Sequence, residues 1–232
     1  MPVDAIATPD VFKVLAPIWL AKAETARRIK QRMHAVFDWA KASGYRSGDN
    51  PVDGVAKALP RQAERANHHA ALPYEKLPDF IASLRQSGVA EPTRLAFELL
   101  ILTATRTSET LLARWSEIDL DEALWTIPAE RMKAGRAHRV PLAPRALEIL
   151  ERAKLFAGPS QLVFPGRDPD RPMSNMIFLM VLRRMELDIT AHGFRSSFRD
   201  WAAERTNFSR EVCEMALAHA TKRLNAFSKP SE

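Results

Sequence analysis

Apolar residues recur at helical spacing along most of the chain. In the N-terminal part Ile29, Met33, Val36, Phe37 and Ala40 fall on one face of a predicted helix. The opposite face carries Arg27, Lys30, His34 and Lys41, and Gly44 is placed to end the helix. From Ser47 to Tyr74 the pattern breaks. This stretch holds Asn50-Pro51, Gly54, Pro60, the polar run Arg61 to His69, and Pro73. It reads as connection rather than core, with a domain boundary near residues 65–75.

Helical spacing resumes over Leu77–Leu84, starting near Pro78, and over Thr93–Thr103, whose Leu and Phe content predicts burial. Three short strand-like runs follow: Trp115–Leu120, Leu124–Pro128 and Arg139–Leu142. Asp121-Glu122 makes a tight turn between the first two, and Lys133-Ala134-Gly135-Arg136 lies in the turn before the third. After Pro144 the pattern is helical again, over Arg145–Phe156, Ser174–Met185, Gly193–Glu204 and Ser209–Ala218, with Ser174 and Ser209 as N-caps. The predicted class is mainly α with a small antiparallel β-sheet.

Composition narrows the function. A chain of 232 residues suits one or two domains, and 46% hydrophobic residues suffice for a packed core. The longest apolar run, Met176 to Leu182, is far short of the roughly 20 residues a membrane span needs, so no membrane is predicted as partner. The opening Met-Pro-Val-Asp-Ala-Ile has neither the basic nor the apolar region of a secretory signal, and a cytoplasmic location is expected. The single Cys213 excludes an intramolecular disulfide and a multi-cysteine zinc site. No two glycines have the spacing of a dinucleotide fingerprint or a P-loop, which argues against nucleotide-driven chemistry.

The net charge of +6 and pI near 9.7 favour a polyanionic partner. Residues 1–70 hold 11 basic and 7 acidic residues, and the remainder 23 and 21, so the smaller part carries most of the excess. The basic face of the first helix is therefore either a solvated surface or a stripe of phosphate contacts.

Five basic groups stand out further on: Arg106, Lys133, His192, Arg195 and His219. Were they to converge, they would suit a phosphodiester. Arginine forks bind non-bridging oxygens and stabilise added charge on phosphorus. Histidine or lysine moves protons to and from the bridging oxygens. Singly, each has a duller reading. Arg106 with Glu109 is then a helix ion pair worth about 0.2–0.5 kcal/mol. His219 is then a core histidine or a partner for a helix C-terminus, and Lys133 an exposed turn lysine.

The order Thr105-Arg106-Thr107-Ser108-Glu109, then Arg131-Met132-Lys133 with His138-Arg139-Val140-Pro141-Leu142, then His192-Gly193-Phe194-Arg195, then Leu217-Ala218-His219 resembles the tyrosine recombinases, above all the prophage-type integrases. Residues 1–70 resemble that family's core-binding domain through Glu24-Thr25-Ala26-Arg27, Asp38-Trp39-Ala40 and Asn50-Pro51. The resemblance implies a helical, SAM-like core-binding domain over residues 1–68 and a tyrosine-recombinase catalytic domain over residues 72–232. It implies DNA integration and recombination on a double-stranded attachment site, by a homo-oligomer or together with a full-length integrase. Arg106 and Arg195 would clamp the scissile phosphate, and Lys133 would protonate the leaving 5′-oxygen. His192 would assist proton transfer at the nucleophile, and His219 would donate to a non-bridging oxygen. No metal or nucleotide cofactor is implied, because a phosphotyrosine intermediate conserves the bond energy.

The chain departs from the pattern in two places. The family nucleophile is a tyrosine beyond the position of His219, whereas Tyr45 and Tyr74 both lie upstream. Phe227, near the expected place, has no oxygen to attack phosphorus, and Ser228 beside it has no family support. An arm-binding domain before residue 1 and a helix after the nucleophile are also unmatched. The expectation is an integrase shortened at both ends or frameshifted. Three functional readings stand open: a recombinase whose tyrosine comes from a partner subunit, a DNA-binding remnant without catalysis, and a type IB topoisomerase-like enzyme with a similar set of cations. A fourth reading is a marginal fold without function.

Overall fold

The computed structural model describes residues 1–62 and 70–219. Residues 63–69 and 220–232 lie outside the described residues, and with them most of the polar run before Ala70, Phe227 and Ser228. The chain divides into two compact units, Met1–Ala66 and Asn67–Glu232.

The first unit packs α1 (Thr8–Trp19), α2 (Ala23–Ala42) and α3 (Pro51–Ala58). On α2 the core takes Ala26, Phe37 and Ala40, with Ile29 and Met33 partly buried. Val36, expected on that face, is instead exposed: neighbouring helix positions point about 100° apart, and Phe37 occupies the buried one. Gly44, with φ of +77°, ends the helix in the left-handed conformation.

α3 corrects the reading of Ser47–Tyr74 as connection alone. Asn50 caps it, its side chain accepting the Val52 N–H at 3.0 Å, and Pro51 occupies the first turn, where its missing N–H is harmless. The same side chain donates to the His34 carbonyl and the Asp38 carboxylate, fastening α3 to α2. Val52, Val55 and Leu59 are buried with Val11, Leu15 and Trp19 of α1. A Cβ at Gly54 would stand 3.0 Å from the Thr8 side chain, so this glycine marks close helix packing rather than a loop. Arg46 closes the unit from within, donating to the carbonyls of Val3, Ile6 and Asp49 at 2.8–2.9 Å.

The second unit is built around α5 (Glu91–Thr103), which buries Leu95, Phe97, Leu99 and Leu100. α4 (Leu77–Gln86), α6 (Thr107–Leu111), α7 (Pro144–Ala157) and α8 (Ile177–Arg184) pack around it. The sheet runs in the order β1 (Ile118–Asp119), β2 (Leu124–Ile127), β3 (His138–Pro141), all antiparallel. Trp125, Ile127 and Val140 face the core. The strand expected over Trp115–Leu120 shrinks to two residues, because Trp115–Glu117 form a 3-10 turn that swings the Glu117 carboxylate under the sheet to accept Trp125 Nε1–H at 3.0 Å.

The chain closes with α9 (Gly193–Arg205) and α10 (Arg210–Ala216). Ser209 caps α10 as expected. Ser174 stands one turn ahead of α8, its carbonyl accepting the Ile177 N–H at 2.9 Å, so it begins the lead-in turn rather than the helix. Phe194 of α9 stacks edge-on against Phe97, with ring centroids 5.5 Å apart, and Phe97 stacks on Phe178 at 4.6 Å. The first turn of α9 is thereby locked to the core helix. Glu98, buried on α5, takes Arg145 of α7 at 2.8 Å and also Arg85 of α4. Burial pushes its carboxyl up, but the two guanidinium groups outweigh this and hold it below the ordinary carboxylate value. No helix among the described residues is long and apolar enough to cross a membrane.

Candidate active site

The second unit places Arg106, Lys133, His192 and His219 around one open pocket of about 500 Å³, with Ala134 and Ala218 completing the lining. Arg195 is not on the rim. It is almost fully buried, and its guanidinium reaches the His219 ring.

Each of the five is held by a different element. Arg106 is the residue from which α6 starts. The Glu109 carboxylate takes its backbone N–H at 2.7 Å and its guanidinium at 2.5 Å. Glu109 is 3% exposed, so this is no ordinary surface ion pair. Beneath it the hydroxyls of Thr103, Thr105 and Thr110 form a buried chain ending on the Leu99 carbonyl. Lys133 sits in the β2–β3 turn. Arg131, two residues earlier, donates to the Glu109 carbonyl at 2.6 Å and pairs with Glu117, tying that turn to α6. Lys133 itself has no ion pair among the described residues.

His192 and Arg195 share the first turn of α9, but they do not point alike: His192 lines the pocket while Arg195 turns inward. Arg195 donates to the Ala104 carbonyl, to the Leu217 carbonyl at 2.5 Å, and to His219 Nε2 at 3.1 Å. Guanidinium has five N–H groups, so these three bonds leave one Nη1–H and the Nε–H unspent, and the Nε is buried with no acceptor among the described residues. Ala104 and Ala218 adopt left-handed φ values of 49° and 51°. Both lie at the peptides that receive Arg195, so the strain of two non-glycine residues shapes its cradle. Burial, then the charge of Arg106, lowers the Arg195 pKa to about 10. Two cations held close with unspent donors make a site that an oxyanion would stabilise.

Three groups near the pocket had no assigned role in the sequence. Glu109 entered only as an ion-pair partner for Arg106. His138 of β3 hydrogen-bonds the Ala216 backbone and feels Glu109, Arg195 and Arg106. Glu214 of α10 binds His219 Nδ1 at 2.5 Å. The one local signal was an acidic residue about one helical turn ahead of His219.

In the first unit Arg27, Lys30 and His34 line a second pocket of about 840 Å³. Lys41 does not; it pairs with Asp49 at 2.8 Å. His34 lies between Asp38 and Asp53, each at 2.9 Å, and Arg27 pairs with Glu24. Lys30 has no ion pair among the described residues, so the basic face is partly neutralised by its own neighbours.

The fold and the pocket define a two-unit helical protein that gathers cations from a helix start, a hairpin turn and the two ends of adjoining helices. Residues 1–56 match the family model for the phage integrase central domain, and residues 71–224 match that of the phage integrase family. The chain therefore belongs to the phage integrase family of tyrosine recombinases. It is 36% identical over 219 residues to prophage integrase IntZ of Escherichia coli (strain K12), covering 94% of this chain and 54% of that protein. It is 34% identical over 230 residues to the integrase of Enterobacteria phage P4, covering 90% and 52%. The chain thus spans about half the length of these curated relatives. Among solved structures it is similar to a lambda integrase dimer bound to a COC′ core site, with TM-score 0.68, 20% identity, and coverage of 100% of this chain and 84% of that one. A lambda integrase tetramer bound to a Holliday junction gives TM-score 0.69 at 20% identity, over 98% of this chain and 67% of that one. At such identities the likeness is one of fold.

Proposed function

We propose that the chain is a site-specific DNA recombinase of the integrase kind, acting on double-stranded DNA in the cytoplasm as part of an oligomer. The observation that carries this reading is the pocket of about 500 Å³ lined by Arg106, Lys133, His192 and His219 over the buried Arg195. Cations outnumber anions there, and the unspent Nη1–H of Arg195 suits a non-bridging oxygen of a phosphodiester. In this reading Arg106 and Arg195 hold the phosphate and stabilise the pentacovalent transition state. Lys133, on its turn, supplies the proton to the leaving 5′-oxygen, and His192 handles the proton of the attacking hydroxyl. Arg27, Lys30, His34 and Lys41 contribute phosphate contacts from the first unit. Membership of the integrase family favours this over a topoisomerase.

A second reading, DNA binding without cleavage, is favoured by the tyrosines. Tyr45 lies in the first unit, and Tyr74 is engaged by Glu204 and Arg205 and does not line the pocket. A nicked suicide substrate separates the two. Incubated with the chain alone and with a full-length integrase, it yields a covalent adduct dependent on Arg106 and Lys133 if this pocket cleaves. A salt-sensitive gel shift with no adduct in either mixture supports the second reading, and absence of both signals overturns each.

A further inference from the structure

His219 follows α10 directly, and its ring is gripped on both nitrogens. Nδ1 lies 2.5 Å from the Glu214 carboxylate, and Nε2 lies 3.1 Å from an Arg195 guanidinium nitrogen. The backbone repeats the arrangement, since the His219 N–H donates to the Glu214 carbonyl at 2.9 Å across the left-handed Ala218. Glu214 is itself fixed. Arg199 of α9 holds its other oxygen at 3.1 Å, Arg210 approaches it at 3.9 Å, and its side chain is 16% exposed.

These contacts determine where the ring protons reside. Arg195 is a donor only, so the nitrogen facing it must be an acceptor in the neutral ring. Nδ1 must then carry the hydrogen, and the carboxylate of Glu214 is there to receive it. A phosphate oxygen is an acceptor too. For His219 to donate to it, Nε2 must gain a proton and the ring must become an imidazolium. The charged groups bonded to the ring are Glu214 from α10 and Arg195 from α9; Arg199 and Arg210 contact the other oxygen of Glu214, and Arg106, Lys133 and His192 line the same pocket. A second anion, Glu109, is paired with Arg106 and acts on Arg195, so Glu214 is the anion that touches the ring itself.

We infer that Glu214 is a positioning residue for His219: it holds the Nδ1 proton, so that Nε2 accepts from Arg195 without a bound anion and, once protonated, donates to a phosphate oxygen. The second half rests on the pocket being a phosphate site, as proposed above. The His219 hydrogen bond, working against burial and aided by Arg199, keeps the Glu214 carboxyl below its ordinary value, which agrees with a carboxylate that stays ionised beside the ring.

Long-range proton–nitrogen NMR correlations on the whole chain, labelled with ¹⁵N-histidine, test this directly. His219 should be the Nδ1–H tautomer in its neutral form. Glu214→Gln keeps an acceptor of the same shape and should preserve that tautomer. Glu214→Leu removes the acceptor and should weaken the tautomer preference. An Nε2–H tautomer in the wild type, or an undiminished Nδ1–H preference in Glu214→Leu, overturns the assignment. Inorganic phosphate is then added. Proton uptake at His219 supports the donor role. No change in any pocket signal overturns the phosphate reading of the pocket and, with it, the donor half, while the difference in ligand-free tautomer between the wild type and Glu214→Leu still establishes what Glu214 does.

Discussion

Arg195 concentrates the chemistry of the site in one side chain. It is nearly buried, carries a charge lowered in pKa to about 10 by burial and by Arg106, and holds together the Ala104 and Leu217 peptides from two different elements. Arg195→Ala leaves both carbonyls without a donor, each loss costing about 1–3 kcal/mol. The variant should unfold at a clearly lower temperature, by several degrees, as differential scanning calorimetry would record. The same geometry predicts that inorganic phosphate raises the melting temperature of the wild type, because an anion relieves the repulsion between Arg106 and Arg195. That gain should shrink in Arg106→Ala, and an equal gain in both proteins would count against an anion site here. The five basic residues were legible from their order along the chain. Their acidic and aromatic supports were not. Glu109 and Glu214 are local partners of Arg106 and His219, but their burial, and the reach of His138 and Arg131 to other elements, come from tertiary structure, whereas spacing along one helix reports neighbours only on that helix.

At the scale of elements, the β2–β3 hairpin is tied to the rest of the site by His138 as well as by Arg131. Burial, together with Arg195 and Arg106, holds the His138 imidazole below its ordinary value of 6.5, outweighing Glu109 and the Ala216 carbonyl. The unfolded chain therefore takes up this proton first as pH falls. Between its value and the folded one, the unfolded state binds more protons, so stability is lost as pH drops below about 6.5 and regained as it rises. His138→Gln keeps a donor for Ala216 but does not titrate. Its stability, followed by urea unfolding between pH 7.5 and 5 (a window on either side of about 6.5), should fall less steeply than that of the wild type; parallel curves would refute the link. Helices with long amphipathic repeats, such as α2 and α7, were readable in advance. α3 was not: at eight residues it offers two turns of pattern, and its Asn-Pro opening and Gly54 carry the same signals as a loop. β1 was expected but drawn too long, since Trp115–Leu120 looks extended while Glu117 is committed to Trp125 and Arg131.

For the whole molecule, the balance of charge is the property that the sequence exposes most directly. The formal +6 predicts DNA affinity that falls steeply with salt as counterions are released. Lys30, without an ion pair among the described residues, is the residue of the first basic face whose charge is least spent on its neighbours. Lys30→Ala should weaken binding to specific and random duplexes alike and reduce the log–log salt slope by about 1. Lys41→Ala, which frees Asp49 from its pair, should change the slope less. Filter binding over a salt series distinguishes them, and equal slopes for both variants and the wild type would remove the first helix from the interface.

The described part of the second unit begins at Ala70, and it begins on α9. The Thr190 N–H donates to the Ala70 carbonyl, Ser197 Oγ donates to the Leu72 carbonyl, and a Cβ on Gly193 would collide with the Ala70 oxygen. In mechanical terms the polypeptide is moored to the helix that carries His192 and Arg195. Tension applied at residue 70 enters the second unit at this mooring, not at its periphery. In an optical-tweezers experiment pulling between residues 70 and 150, the Ala70 and Leu72 attachments are the first of these to bear load. Gly193→Ala, which pries the mooring open, should lower the force of the first rupture and leave the later ones in place.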